Sequence, residues 1–199
     1  MSLKVGFLAV LAMVFTTANY AQEGPSQPFV TGELVYGSAN APVEVIEYGS
    51  MTCPHCGHFS RDTFPEVKKE LIDTGKVRFV FRNFVRDRYD MAVAVISRCT
   101  ADAEVTKQLV DTYFSRQDDW MRAPNPYEVI AQIATDAGIT QPEMARCISD
   151  QEAQKHLAEM TQNGIQTYKI GSIPYIMVNG KHLEDHSFEA VKQAVEAAQ

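Results

Sequence analysis

Four residues in this chain have the types and spacing for redox chemistry: Cys53-Pro54-His55-Cys56. Two cysteines three apart, the first opening a helix, lie on one turn and can close a small disulfide ring. At a helix N-terminus the free backbone N–H groups and the macrodipole favour an anion. A Cys53 thiolate placed there is stabilised, so its pKa falls and its reactivity changes. His55 adds a second positive influence when protonated, or an N–H donor when neutral. Pro54 suits the first turn, because it lacks an N–H that would go unsatisfied there anyway. The stretch reads as a redox-active dithiol, with Cys53 the attacking sulfur and Cys56 the resolving one.

The elements around it must hold that turn in place. Val43 to Tyr48 reads as a strand buried on both faces, leading directly into the dithiol. A helical pattern follows from Gly57 to about Ile72. Lys76 to Phe81 then alternates as a second main strand, which makes a βαβ unit with a right-handed crossover. Phe29 to Tyr36 is expected as a first, edge strand. Asp90 to Ile165 is expected to be helical throughout, with no strand signal; within it Pro126 starts a helix that Gly138 ends, Pro142 to Cys147 gives a short helix and Glu152 to Tyr168 a longer one. Such a run is a helical subdomain inserted into the βαβ scaffold. Strand returns over Ser172 to Val178, with Pro174 at its head. Asn179-Gly180 is a hairpin turn signal, and Lys181 to Glu184 would be the partner strand. Ser187 caps the last helix. The aromatic residues Tyr113, Phe114 and Trp120 are expected in the core, and His156, His182 and His186 at the surface. The expected division is 29–87 for the first part of the scaffold domain, 88–168 for the insert and 169–199 for the second part.

Glu47 is the odd residue of its strand. A carboxylate six residues before Cys53, inside a buried strand, is expected to have a raised pKa and to hold or pass a proton near neutral pH. The competing reading is that it reaches the strand end and pairs with a lysine.

Residues 1–21 carry the three-part pattern of a secretory signal: Lys4, the apolar run Val5 to Phe15, and small residues at Thr16 to Ala21. Cleavage after Ala18 or after Ala21 fits equally. The alternative is an uncleaved anchor, against which the run is short. Residues 22–28 form a flexible lead-in. Export places the chain where disulfides persist, the periplasm. Cys99 and Cys147 remain after the dithiol, and an even count points to a structural disulfide between them. It would be worth at most about 4 kcal/mol in the chain-entropy model. Two buried thiols or a second redox pair are the alternatives. The net charge of −7 argues against nucleic-acid binding.

Glu47, the CPHC turn, the helical insert, and Ile173-Pro174 followed by Val178-Asn179-Gly180 together resemble the DsbA-type thiol–disulfide oxidoreductases of the thioredoxin superfamily. The resemblance covers about residues 29 to 199. It implies an α/β thioredoxin-like fold with an inserted all-helical subdomain. It also implies a cis proline at Pro174 whose loop faces the disulfide, and an acid at Glu47 beneath the buried cysteine that assists its proton transfer. Ile173 stands where that family commonly has Val or Thr. Some relatives carry an extra bridge like Cys99–Cys147. The activity implied is donation of the Cys53–Cys56 disulfide to unfolded or partly folded exported proteins. A quinone-linked membrane partner of the DsbB type would restore the disulfide. No metal or organic cofactor is expected, and a monomer is. The rival readings are a disulfide isomerase or reductase, which would need Cys53 kept reduced, and a non-enzymatic metal-binding or adaptor protein built on Cys53, Cys56 and a histidine.

Overall fold

The computed structural model describes residues 28–199. The export signal expected over 1–21 and nearly all of the lead-in lie outside the described residues. The sheet is built from β1 (Leu34–Tyr36), β2 (Val43–Gly49), β3 (Val77–Asn83), β4 (Tyr175–Val178) and β5 (Lys181–Leu183), in the order β1-β3-β2-β4-β5. β2 lies at the centre. It pairs parallel with β3, placing Glu47 opposite Phe81, and antiparallel with β4, placing Glu47 opposite Ile176. β1 and β5 complete the sheet with antiparallel pairing. Neighbours on both sides and helices on both faces are why β2 is buried along almost its whole length, with only Glu44 half-buried. Asn179 and Gly180 turn β4 into β5 with positive φ values of 44° and 77°, the geometry of a two-residue primed turn.

Between β2 and β3 runs one helical rod. It comprises α1 (Pro54–His58), a wide π-type stretch at Phe59–Thr63, α2 (Phe64–Val67) and a second wide stretch at Lys68–Ile72. Pro65 has no N–H to offer the carbonyl of Arg61, so the ladder resets there with a wider turn. The rod begins at Pro54, three residues before the expected Gly57, because Cys53 serves as its extended N-cap.

The helices α3 (Arg88–Arg98), α4 (Ala103–Ser115), α5 (Gln117–Met121), α6 (Pro126–Asp136), α7 (Gln141–Ser149) and α8 (Gln151–Tyr168) all fall between β3 and β4. The stretch expected to be helical is a series of separate helices, and capping residues mark several of their starts. Asp87, Asp102, Thr140 and Asp150 each accept backbone N–H groups of the helix they start, which ends the preceding segment and begins the next. Trp120, Tyr113 and Phe114 are buried, and the polar atoms of the first two are satisfied. The Trp120 indole donates to the Tyr113 carbonyl at 2.9 Å and the Tyr113 hydroxyl to that of Ile130 at 2.9 Å. Cys99, at the end of α3, is disulfide-bonded to Cys147 of α7, their Cα atoms 6.0 Å apart. Last comes α9 (Phe188–Glu196), with Ser187 accepting the Ala190 N–H.

Three expectations need correction. The first strand starts at Leu34 rather than Phe29. Residues 30–32 are tied to α3 instead, where buried Arg98 donates to the carbonyls of Val30 at 2.7 Å and Gly32 at 2.9 Å. The strand expected from Ser172 starts at Tyr175, after Pro174, whose peptide bond with Ile173 is cis. His156 and His186 are half-buried rather than surface residues; His182 is exposed.

Candidate active site

The site forms where β2 ends. Ser50, Met51 and Thr52 turn the chain from the sheet into α1, and Asp90 of α3 holds that turn. Its carboxylate accepts the Ser50 hydroxyl at 2.5 Å, the Met51 N–H at 2.9 Å and the Arg86 N–H at 3.0 Å. From α5, the Gln117 amide donates to the carbonyls of Met51 and Cys53, both at 2.9 Å. Gly57 makes that approach possible, because a Cβ there would overlap the Gln117 amide oxygen. The insert therefore grips the CPHC turn from two helices.

Cys53 and Cys56 are both free thiols and both buried, yet they are opposite in acidity. The Cys53 thiol is lowered to about 5. The hydrogen bond from Cys56 contributes most. Burial opposes it, while the backbone N–H groups of Cys56 and His55 and the charge of Arg86 add to it. These N–H groups are the free donors of the first helical turn. The His55 imidazole is exposed; His55 acts here through its backbone. Cys56 is fully buried, and burial pushes its thiol far upward. The bond it gives to Cys53 and the charge of Glu47 act the same way, against a contact of 3.5 Å from the Ser50 N–H. One sulfur is thus kept as an anion and the other as a thiol at neutral pH.

Glu47 is 3% exposed and does not reach the strand end. Its Oε1 has no hydrogen-bond partner among the described residues. Burial first, then the charges of Cys53 and Asp111, push its carboxyl up to about 8. It can therefore carry a proton at neutral pH. Ile173 and Pro174 close the site from the other side: the Ile173 carbonyl oxygen lies 3.7 Å from the Cys53 sulfur. Beside them opens a cleft of about 510 Å³, with His55, His58 and Phe59 on one wall and Ile173, Pro174 and His186 on the other. Among the described residues, no group of three or more His, Cys, Asp or Glu side chains is placed to hold a metal ion.

Asp90 and Gln117 carry no signal that marks them for this place. Asp90 reads as a first-turn acid of α3, and Gln117 as one polar residue in a helical run. Only the packing of the insert onto the sheet brings them to the turn.

A thioredoxin family model matches residues 30–197. A protein of Rickettsia bellii named as a putative protein-disulfide oxidoreductase is 30% identical over 166 residues, which is 83% of this chain and 64% of that protein. This chain therefore spans less than two thirds of that relative's length. Disulfide bond formation protein D of Bacillus subtilis is 28% identical over 178 residues, 85% of this chain and 78% of that protein. Among solved structures, Wolbachia pipientis alpha-DsbA1 superposes with a TM-score of 0.77 at 23% identity, covering 87% of this chain and 93% of the other. With the family model spanning nearly every described residue and the fold shared with alpha-DsbA1, the chain belongs to the thioredoxin family and has the DsbA-type architecture.

Proposed function

We propose that this chain is an exported thiol–disulfide oxidoreductase that donates its Cys53–Cys56 disulfide to folding proteins in the periplasm. The observation that carries this reading is the split between the two sulfurs, Cys53 held at about 5 and Cys56 pushed upward. A client thiolate attacks the Cys53 sulfur of the oxidised pair. The Cys53–Cys56 bond breaks, a mixed disulfide forms at Cys53, and Cys56 leaves as a thiolate that takes a proton from Glu47. A second client thiolate then attacks the client sulfur of the mixed disulfide. The client becomes oxidised, and Cys53 departs as a stabilised thiolate. A stable departing thiolate favours the reduced enzyme and makes its disulfide oxidising.

Pro174 and Ile173 shape the approach. The backbone of Ile173, half-buried beside the Cys53 sulfur, suits an extended client segment laid alongside it, a mode that tolerates many sequences. The Cys99–Cys147 bridge serves as a brace within the insert. A membrane oxidant of the DsbB type, linked to quinone, would return the pair to the disulfide. The protein acts as a monomer.

Alkylation of reduced protein across pH tests the reading. Cys53 should react at half its maximal rate near pH 5, with the rate falling below that as the sulfur is protonated. An inert thiol up to pH 8, together with a strongly reducing equilibrium with glutathione, would favour a reductase instead.

A further inference from the structure

Cys56 is fully buried, so its proton has no direct path to water. Glu47 is the acid nearest in function, and it too is buried. Its carboxyl occupies space left by Gly49, where a Cβ would come within 2.8 Å of both Oε1 and the Phe81 ring. The same side chain lines a small cavity of about 10 Å³ whose other polar walls are Tyr36, Ser60 and Asp111. That is about the room one water needs, and four polar side chains match the partners a buried water uses. Tyr36 and Asp111 also line a second, wider cleft of about 590 Å³ at the surface, together with Lys68 and Lys107. The Tyr36 hydroxyl donates to Asp111 Oδ1 at 3.0 Å, fixing that carboxylate at the neck between the two spaces. Asp111 is a solvent-exposed residue, whereas Tyr36 is buried. The neck therefore has a wet side and a dry side.

We propose that Asp111, held by Tyr36, is the port through which Glu47 exchanges protons with solvent each time Cys56 gains or loses one. This rests on Glu47 being the proton partner of Cys56. When Cys56 attacks a mixed disulfide at Cys53, its S–H bond breaks and the proton passes to the Glu47 carboxylate. The Cys53–Cys56 bond forms, and the partner sulfur leaves as a thiolate. Glu47 then releases the proton through the small cavity to Asp111 and bulk water. In disulfide donation the proton travels inward along the same path. The charged and titratable groups around the path come from every side. Cys53 and Cys56 face Glu47 from α1, and Tyr36 and Asp111 from β1 and α4. Partial burial raises the Asp111 carboxyl above its ordinary value, while the hydrogen bond from Tyr36 and the charges of Lys107 on its own helix and Lys68 after α2 favour its charged form.

The test is the rate at which the Cys53–glutathione mixed disulfide resolves to the intramolecular disulfide, followed from pH 5 to 9. Glu47→Gln should slow it about a hundredfold, the lower range for general acid–base catalysis, and Asp111→Asn about tenfold on the high-pH plateau. Tyr36→Phe should give a smaller loss in the same step. Adding Asp111→Asn to Glu47→Gln should slow it no further, since both act on one route. Asp111→Glu should keep the parent rate. A plateau unchanged in Asp111→Asn, with only the inflection moved, would mean that Asp111 acts by its charge alone and would overturn the port. Full additivity of the two variants, or a loss in Asp111→Glu as deep as in Asp111→Asn, would do the same. If Asp111→Asn melts below the assay temperature, Tyr36→Phe decides: an unchanged rate overturns the port. An unchanged rate in Glu47→Gln would instead sink the reading of Glu47 beneath it.

Discussion

Two cysteine pairs share this chain, and the helices that carry them present opposite ends. Cys53 stands at the N-cap of α1, where backbone N–H groups point outward. Cys99 stands at the C-cap of α3, the end where unpaired carbonyls gather, and its sulfur lies 3.7 Å from the Glu143 carbonyl oxygen. Negative charge is favoured at the first place and disfavoured at the second. Burial does not separate the pairs, for Cys56 and Cys147 are both buried. The supply of N–H donors does, and so does spacing. Cys53 and Cys56 share a turn, whereas Cys99 and Cys147 are 48 residues apart and join two helices. A bond whose sulfurs leave easily suits exchange. A bond whose sulfurs leave poorly, closing a long loop, suits bracing.

The largest effect expected from this contrast is on turnover. Cys53→Ser should reduce disulfide donation to a reduced test protein to background, because no other sulfur in the described residues has the same donors. Cys56→Ser should leave Cys53 reactive and accumulate mixed disulfides, visible on non-reducing gels. Retained turnover in Cys53→Ser, or loss of turnover on replacing Cys99, would reverse the assignment of the two pairs.

Much of this contrast was legible in the residues themselves. The CPHC turn after a buried strand could be read as a dithiol on one helical turn, and an even number of cysteines pointed to the second bond. Glu47 stood out as an acid near the end of a strand read as buried, six residues before Cys53. What could not be read was the scaffolding that comes from far along the chain. Asp90 and Gln117 reach the turn from 37 and 64 residues beyond Cys53, and helical periodicity gives a face without naming what that face meets. Asp111 falls in the same class, a polar residue of α4 whose neighbour Tyr36 comes 75 residues earlier. The short first strand was hidden for a similar reason. Phe29 to Tyr36 has strand-like residues, but Arg98 draws its first half onto α3, and tertiary contact overrides propensity.

The second effect concerns stability. Replacing Cys99 and Cys147 together by serine should lower unfolding free energy by about 2–4 kcal/mol in denaturant titration, the usual range for a disulfide. Donation at a temperature where the variant stays folded should be unchanged. The same titration on the oxidised parent and on Cys53→Ser/Cys56→Ser should show a smaller loss, since that ring closes only one turn. If removing the long-range bond costs nothing, bracing is not its role.

The smallest effect is a pH dependence peculiar to the reactive pair. The Cys53 thiol titrates near 5 in the folded reduced protein, against 9.0 for the ordinary thiol. Between those values the unfolded chain holds a proton there that the folded one does not, so the reduced state gains stability as pH rises. The gain is complete above pH 9 and is lost as pH falls through 5. The oxidised pair does not titrate, so the melting temperature of the reduced protein should rise relative to that of the oxidised protein from pH 4 to pH 7. Glu47 stays largely protonated in the folded reduced protein over that interval, its carboxyl being held up to about 8 by burial and by the charges of Cys53 and Asp111. After discounting for solvent around the Cys53 sulfur, the change is on the order of 1 kcal/mol, or about 3 °C for a chain of this size. The Cys99–Cys147 bond offers a control within the same molecule. Its thiols, Cys99 released at the carbonyl end of α3 and Cys147 in the last turn of α7, should give a reduced form that is less stable at every pH and gains nothing on raising pH from 4 to 7. A reduced protein that gains nothing relative to the oxidised one as pH rises from 4 to 7 would mean that the helix N-terminus does not hold the Cys53 sulfur as an anion.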